Sequence, residues 1–251
     1  MMTQYLKVTP DSVAKYAVFS GDPGRVKRIV SFMDSSEEIA YNREFNTYTG
    51  NYKGVAITVS STGIGGPSAA IALEEMYDCG IEVAVRLGTV MGLKENLGEV
   101  LIPAGVMRME STSKTYVEAS YPAVSDFELL QCMNEASASN ERKYNNGLIC
   151  SMDGFYSEMK ESKLSKKMGN DITAKIADLK KYNIAGIDME SGTVLTLTNL
   201  MGIRGCVVTM TTVLENLKDY LKDSERAKAE DDLIKIVLDG IVMFDKKNNQ
   251  K

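Results

Sequence analysis

Short runs of β-branched and apolar residues recur along this chain, and most are followed by a stretch whose apolar residues return at helical spacing. A strand that reads as a continuous apolar run is buried on both faces, so the helical stretches must supply the covering layers. The alternation therefore specifies an α/β fold with a largely buried central sheet. Strands are expected over 16–20, 45–52, 55–60, 83–87, 100–109, 148–152, 184–187 and 205–211. Helices are expected over 25–33, 69–79, 126–138, 191–201 and 225–244, with a lysine-rich helical region ahead of the strand at 184–187. The strands at 45–52 and 55–60 read as a hairpin joined near Lys53-Gly54, and Gly80 as the residue that stops the second helix. With no internal repeat, low-complexity tract or linker, residues 1–251 read as one domain.

Composition removes whole classes of function. The chain is 44% hydrophobic and 25% charged, which excludes a disordered, collagenous or coiled-coil protein. Its 29 Lys+Arg against 34 Asp+Glu give a net charge of −5, so a nucleic-acid partner is not expected. There is no histidine. A Ser-His-Asp or Cys-His nucleophile, a His-ligated metal and an imidazole acid or base are thereby excluded, and any catalysis must use carboxylates, Arg and Lys, hydroxyls and backbone dipoles. Cys79, Cys132, Cys150 and Cys206 are far apart and form no C-x-x-C pair, as expected of reduced thiols in a cytoplasmic protein. No apolar run approaches the roughly 18 residues of a membrane span, and the N-terminus lacks the layout of a secretory signal.

Three places carry possible chemistry. Arg25 follows a strand and the turn Gly21-Asp22-Pro23-Gly24, Arg86 ends a buried strand, and Thr89 follows Gly88. Anions collect at the carboxyl ends of strands in such sheets, where Arg offers a planar fork for two phosphate oxygens, although a lone arginine there is also an ordinary ion-pair residue. The loop Thr62-Gly63-Ile64-Gly65-Gly66-Pro67-Ser68 resembles a dinucleotide fingerprint, but Ser68 replaces the third glycine and the loop follows a hairpin, which disfavours a nicotinamide site. Asp188-Met189-Glu190 precedes a helix whose cap reads as Ser191; its carboxylates either complement that helix end or accept hydrogen bonds from the hydroxyls of a sugar.

Taken in order, Gly21-Asp22-Pro23 with Arg25, Asn42-Arg43-Glu44-Phe45, STGIGGPSAAIALEE from Ser61, Arg86-Leu87-Gly88-Thr89, RMESTSK from Arg108, YPAVSDFE from Tyr121, Phe155-Tyr156 and Asp188-Met189-Glu190-Ser191 resemble the nucleoside phosphorylase superfamily, and its uridine branch most closely. The resemblance implies a three-layer αβα fold with a central mixed sheet and a pentosyltransferase that phosphorolyses a nucleoside to free base and ribose 1-phosphate. It implies phosphate contacts from Gly21, Arg25, Arg86 and Thr89, with Arg43 reaching in from the neighbouring subunit of a homo-dimer or homo-hexamer. Met189 and Glu190 would hold the ribose and Phe155 would pack near the base, with Arg86 and Glu190 as the catalytic pair; loss of Arg86 is expected to remove activity and spare the fold. Phosphate is the co-substrate and no cofactor is required, while Glu44, Ile64 and Ser68 match positions that ligate potassium between subunits in some members.

The departures fall on the nucleoside side. Tyr5 replaces the family histidine that reaches the ribose, Met91 stands where a glycine is expected, Met159 and Glu161 stand where a glutamine and an arginine read uracil, and Asp188 replaces a glutamate. The general-acid aspartate of the purine branch falls at about Val213. An inward Glu161 would favour a base edge bearing N–H groups, and an outward one would leave a mainly apolar pocket. Purine nucleoside phosphorolysis, a hydrolytic nucleosidase and a nucleoside-binding protein with little turnover remain the alternatives.

Overall fold

The computed structural model describes residues 1–215 and 217–249. β1 (Tyr16–Ser20) is buried throughout and runs into α1 (Pro23–Val30). Asp22 accepts the Gly24 N–H at 2.8 Å, and a proline in the first turn forfeits an N–H that would be unpaired there, so the Asp-Pro pair starts the helix two residues earlier than its apolar spacing predicts. β2 (Ser35–Asn42), β3 (Phe45–Tyr52) and β4 (Val55–Ser61) form an antiparallel meander. The sequence did not predict β2, because this edge strand opens Ser-Ser-Glu-Glu and has no buried residue to announce it.

The glycine-rich loop then leads into α2 (Gly66–Asp78), followed by β5 (Val83–Gly92). The strand expected over 100–109 is broken at Pro103 into β6 (Val100–Leu101) and β7 (Gly105–Arg108), since proline has no N–H for a ladder. After these come β8 (Ala123–Val124), α3 (Phe127–Ser139), β9 (Tyr144–Asn145) and β10 (Ile149–Ser151). A π-helical turn over Phe155–Met159 precedes α4 (Lys163–Lys167) and α5 (Ile172–Lys181), which make up the lysine-rich region. β11 (Gly186–Asp188), α6 (Ser191–Met201), β12 (Arg204–Leu214) and α7 (Asp223–Asn249) complete the chain.

Among the described residues twelve strands form one mixed sheet in the order β2-β3-β4-β1-β5-β11-β10-β7-β8, with β12 also on β5 and β6, and β9 on β6. Alternation along β1 sorts its side chains, so that Tyr16 and Val18 pack with α1, α3 and α7 while Ala17 and Phe19 pack with α2 and α6. The result is the expected αβα three-layer arrangement. All four cysteines are buried free thiols, and among the described residues no helix is long and apolar enough to cross a membrane.

One feature of the register makes the cavity. β5 pairs with β1 only from Val83 to Leu87, and β11 takes over that side only at Met91 and Gly92. Between them Gly88, Thr89 and Val90 are paired through β12 alone, and the sheet forks. A fork of this kind is the topological switch point at which open α/β sheets bind ligands.

Candidate active site

The fork holds a cavity of about 290 Å³. Gly21, Arg25, Arg86 and Thr89 line one end and Met91, Phe155 and Met159 the other, with Asp188, Met189 and Glu190 between. Ten residues singled out from distant stretches of sequence therefore share one wall.

Arg86 is the centre of the polar end. It is 4% exposed, its Nε donates to Asp188 Oδ2 at 3.1 Å, and its Nη2 donates to the Glu190 carboxylate. Gly88 makes room for it, because a Cβ there would lie 3.0 Å from Arg86 Nη2. Burial works against the Arg86 charge, and Glu190 and Asp188 more than offset it. Burial also pushes the Glu190 carboxyl above the usual carboxylate range, against the pull of Arg86 and with a further push from Asp188. The Gly65 N–H, from the glycine-rich loop, donates to Glu190 Oε1 at 2.6 Å.

The two readings of Asp188-Met189-Glu190 divide between its carboxylates. Asp188 serves the helix end: it accepts the Ser191 N–H at 3.1 Å, the Ser191 hydroxyl at 2.5 Å and the Ser151 hydroxyl at 2.5 Å. Ser191 is consequently the first residue of α6 and not its cap. Glu190 lines the cavity with Met189 beside it.

Arg25 closes the same end. Its Nη1 donates to Ser20 Oγ at 3.2 Å and its Nη2 lies 3.5 Å from Glu230 on α7, a carboxylate that Arg28 and Arg226 also contact. The Arg25 Nε is buried without a partner among the described residues. Burial pulls the Arg25 pKa down, so an anion in the cavity would favour its desolvated charge.

Several expected residues lie elsewhere on this chain. Arg43 is exposed at the tip of the β2–β3 hairpin with φ of +57°, its guanidinium 5.6 Å from the centre of the Tyr5 ring, and neither residue lines the cavity. Glu44 Oε1 accepts the Ser68 hydroxyl at 3.0 Å, while Ile64 is 77% exposed at the cavity rim. Glu161 points outward and pairs with Lys166 at 2.9 Å, so the inward-carboxylate alternative is overturned. Thr212 and Val213 line the wall, which puts no acid at the purine-branch position. Sequence reasoning missed Ser151, the Gly65 N–H and Thr212. Ser151 had no signal, since only its pairing opposite Asp188 in β10 and β11 brings it there.

The model of the phosphorylase superfamily matches residues 15–239. The chain belongs to that superfamily. Among its relatives, the uridine phosphorylase of Thermococcus kodakarensis is 39% identical over 209 residues, 82% of this chain and 76% of that protein. The guanosine phosphorylase of Halorubrum lacusprofundi is 35% identical over 246 residues, 94% of this chain and 97% of that one. The crystal structure of uridine phosphorylase from Vibrio fischeri ES114 superposes with a TM-score of 0.85 at 31% identity, over 97% of this chain and 98% of that one. In this member of the superfamily the fork places two arginines at one end of the cavity and methionines at the other.

Proposed function

We propose that this chain is a nucleoside phosphorylase that reversibly converts a nucleoside and phosphate to free base and ribose 1-phosphate. The observation that carries the reading is a pair of arginine side chains, Arg25 and Arg86, only 9% and 5% exposed, that line one cavity with Thr89. A hydrolytic nucleosidase needs water there and has no use for such a clamp. Gly21, Arg25, Arg86 and Thr89 hold phosphate, which is already a nucleophile and requires positioning more than activation. Met189 and Glu190 hold the ribose. A phosphate oxygen bonds to C1′ as the bond to the base breaks, the electron pair leaves with the base, and water supplies the proton that neutralises it. The Glu190 carboxylate faces the positive charge that develops on the sugar.

Glu190 works in its ionised form. Because burial raises its pKa, that form is lost as pH falls through a value above the roughly 4.3 of an ordinary glutamate. The acid limb of kcat/KM for the nucleoside therefore sits above that value and is absent from Glu190→Gln, whose activity is low and flat. An acid limb unchanged in that variant assigns it to another group.

The base end supports a weak preference. Met91 and Met159 are buried and apolar, and methionine adapts to ligands of different shape. With Glu161 turned outward, none of the three family positions that depart at this end presents a polar group to the base. Uridine remains the leading substrate on overall similarity, and the guanosine phosphorylase relative, matched over 94% of this chain, favours purine nucleosides as the second reading. We expect uridine to exceed guanosine, inosine or adenosine in kcat/KM by less than about a hundredfold, the range available to shape alone. Phosphate-dependent release of base from a panel of these nucleosides and thymidine measures it; no release from any would leave a binding protein. A preference for uridine of several orders of magnitude would show that the pocket reads uracil through other groups.

The reading includes one catalytic domain over 1–251, which the continuous sheet supports, in the cytoplasm, and a homo-dimer or homo-hexamer in which Tyr5 and Arg43 serve a neighbour's cavity. Glu44 and Ser68 meet against Gly63, where a Cβ would come within 2.9 Å of Glu44 Cγ and 3.0 Å of Ser68 Oγ. Their two side-chain oxygens are donors of the kind a hard cation takes, and Glu44, Ser68 and Ile64 would hold potassium for a structural purpose.

A further inference from the structure

At the base end, beside Met91, the cavity is lined by Phe155 and Met159, the two ends of a single turn. One π-type bond runs from the Lys160 N–H to Phe155 O at 2.8 Å, and the Glu158 N–H donates to Gly154 O at 2.8 Å. Phe155 is 37% exposed and Met159 buried, yet both must stand at fixed positions to line the cavity.

Further ties come from side chains. Glu158 Oε2 accepts the Gly154 N–H at 2.9 Å and closes the turn on itself, while Glu158 Oε1 accepts from Lys175 Nζ at 2.8 Å and fastens it to α5. The Asn170 side-chain amide adds a weaker bond to Ser157 O at 3.3 Å. A Cβ at Gly154 would fall 2.0 Å from Ser157 Oγ and 3.3 Å from Glu158 Cγ, so a larger residue there would have to turn the Ser157 hydroxyl aside and crowd Glu158. On α5, Ile176 and Leu179 pack in the apolar cluster that holds Met91, Met159 and Ile187. The helix that carries Lys175 thus shares a core with the wall it fastens. Burial pushes the Glu158 carboxyl up, but Lys175 and the Gly154 N–H outweigh it and hold the group below the usual range, so the latch is ionised at neutral pH. Glu158 itself does not line the cavity, and the phosphate-end residues stand on other elements.

We propose that Glu158, fastened by Gly154 and Lys175, is a positioning residue that sets the base end of the cavity and thereby controls nucleoside affinity independently of phosphate. The proposal rests on the nucleoside phosphorylase reading above. Its consequence is a split between two Michaelis constants that general loosening of the protein would not produce.

The test is steady-state kinetics with uridine and guanosine, varying nucleoside and phosphate separately, on folded variants. Glu158→Ala is expected to raise nucleoside KM about tenfold or more and to leave phosphate KM within about twofold, because misplacing a wall by a fraction of an ångström is enough to spoil alignment. Glu158→Gln keeps an acceptor for the Gly154 N–H and should fall between. Lys175→Met, which removes only a partly exposed ion pair, should raise nucleoside KM about two- to fivefold. If Glu158→Ala does not fold, the other two variants carry the test. Nucleoside KM unchanged in the folded variants, or phosphate KM rising in step with it, overturns the proposal. Absence of phosphate-dependent base release by the unaltered protein would instead overturn the phosphorylase reading. Calorimetric Kd values for uridine and guanosine then decide the latch by the same fold-changes.

Discussion

Replacing Arg86 by alanine is expected to lower kcat/KM about a thousandfold, the loss associated with removing a preorganised charge partner of the reacting groups. The same substitution leaves Asp188 and Glu190, 4% and 6% exposed, without the one cation that contacts them among the described residues. Breaking a buried pair from one side costs about 3–5 kcal/mol, so a lower thermal midpoint should accompany the lost activity. This corrects the expectation that the fold would be spared, which treated Arg86 as a strand-end residue and could not show what it neutralises. Folding and chemistry can be separated. Arg86→Met combined with Glu190→Gln restores charge balance and should recover part of the stability while recovering no phosphorolysis. A single Arg86→Ala variant whose rate depends on phosphate concentration as the unaltered protein's does would refute the role.

How much of this was legible in the sequence depended on whether burial or register set the feature. The strand at 16–20 was read to the residue because every side chain in it is buried and apolar or small. β2 escaped because its exposed, acidic start carries no periodic signal, and β5 and β12 were read too short because Gly88 and a run of threonines interrupt the apolar pattern in the segment that lines the fork. The types of residue at the polar end were legible from Arg, Gly and Thr at strand ends. Their convergence followed only from the family resemblance, since the fork arises from β11 replacing β1 beside β5, where Gly186 pairs with Gly92 and Ile187 with Met91, far apart in sequence. The Glu158 latch was hidden for the same reason. Nothing local to Phe155–Met159 announces that Lys175 fastens it.

Arg43 stands outside its own chain's cavity. Arg43 occupies the left-handed region at a hairpin tip, where a non-glycine side chain costs about 1 kcal/mol or more. Its guanidinium rests over Tyr5, which is itself anchored by Glu75 accepting the Tyr5 N–H at 2.8 Å and by the Asn42 side chain donating to Tyr5 O at 2.8 Å. Two residues expected to reach a neighbour's site are therefore held side by side on an exposed edge. Arg43→Gly should relieve that cost and raise the thermal midpoint slightly, while lowering kcat/KM about a hundredfold through loss of a charge-assisted phosphate contact. An activity that falls as stability rises cannot come from misfolding. Complementation then tests whether the contact is made in trans. Arg43→Gly subunits mixed with Glu190→Gln subunits, an isosteric change that avoids the folding cost of losing Arg86, give mixed dimers in which one site has Glu190 from its own chain and Arg43 from the other. About a quarter of all sites should become active, since half of randomly assembled dimers are mixed and one of the two sites in each is intact. No recovery on mixing, or full activity in a species that light scattering shows to be monomeric, would place Arg43 outside the reaction.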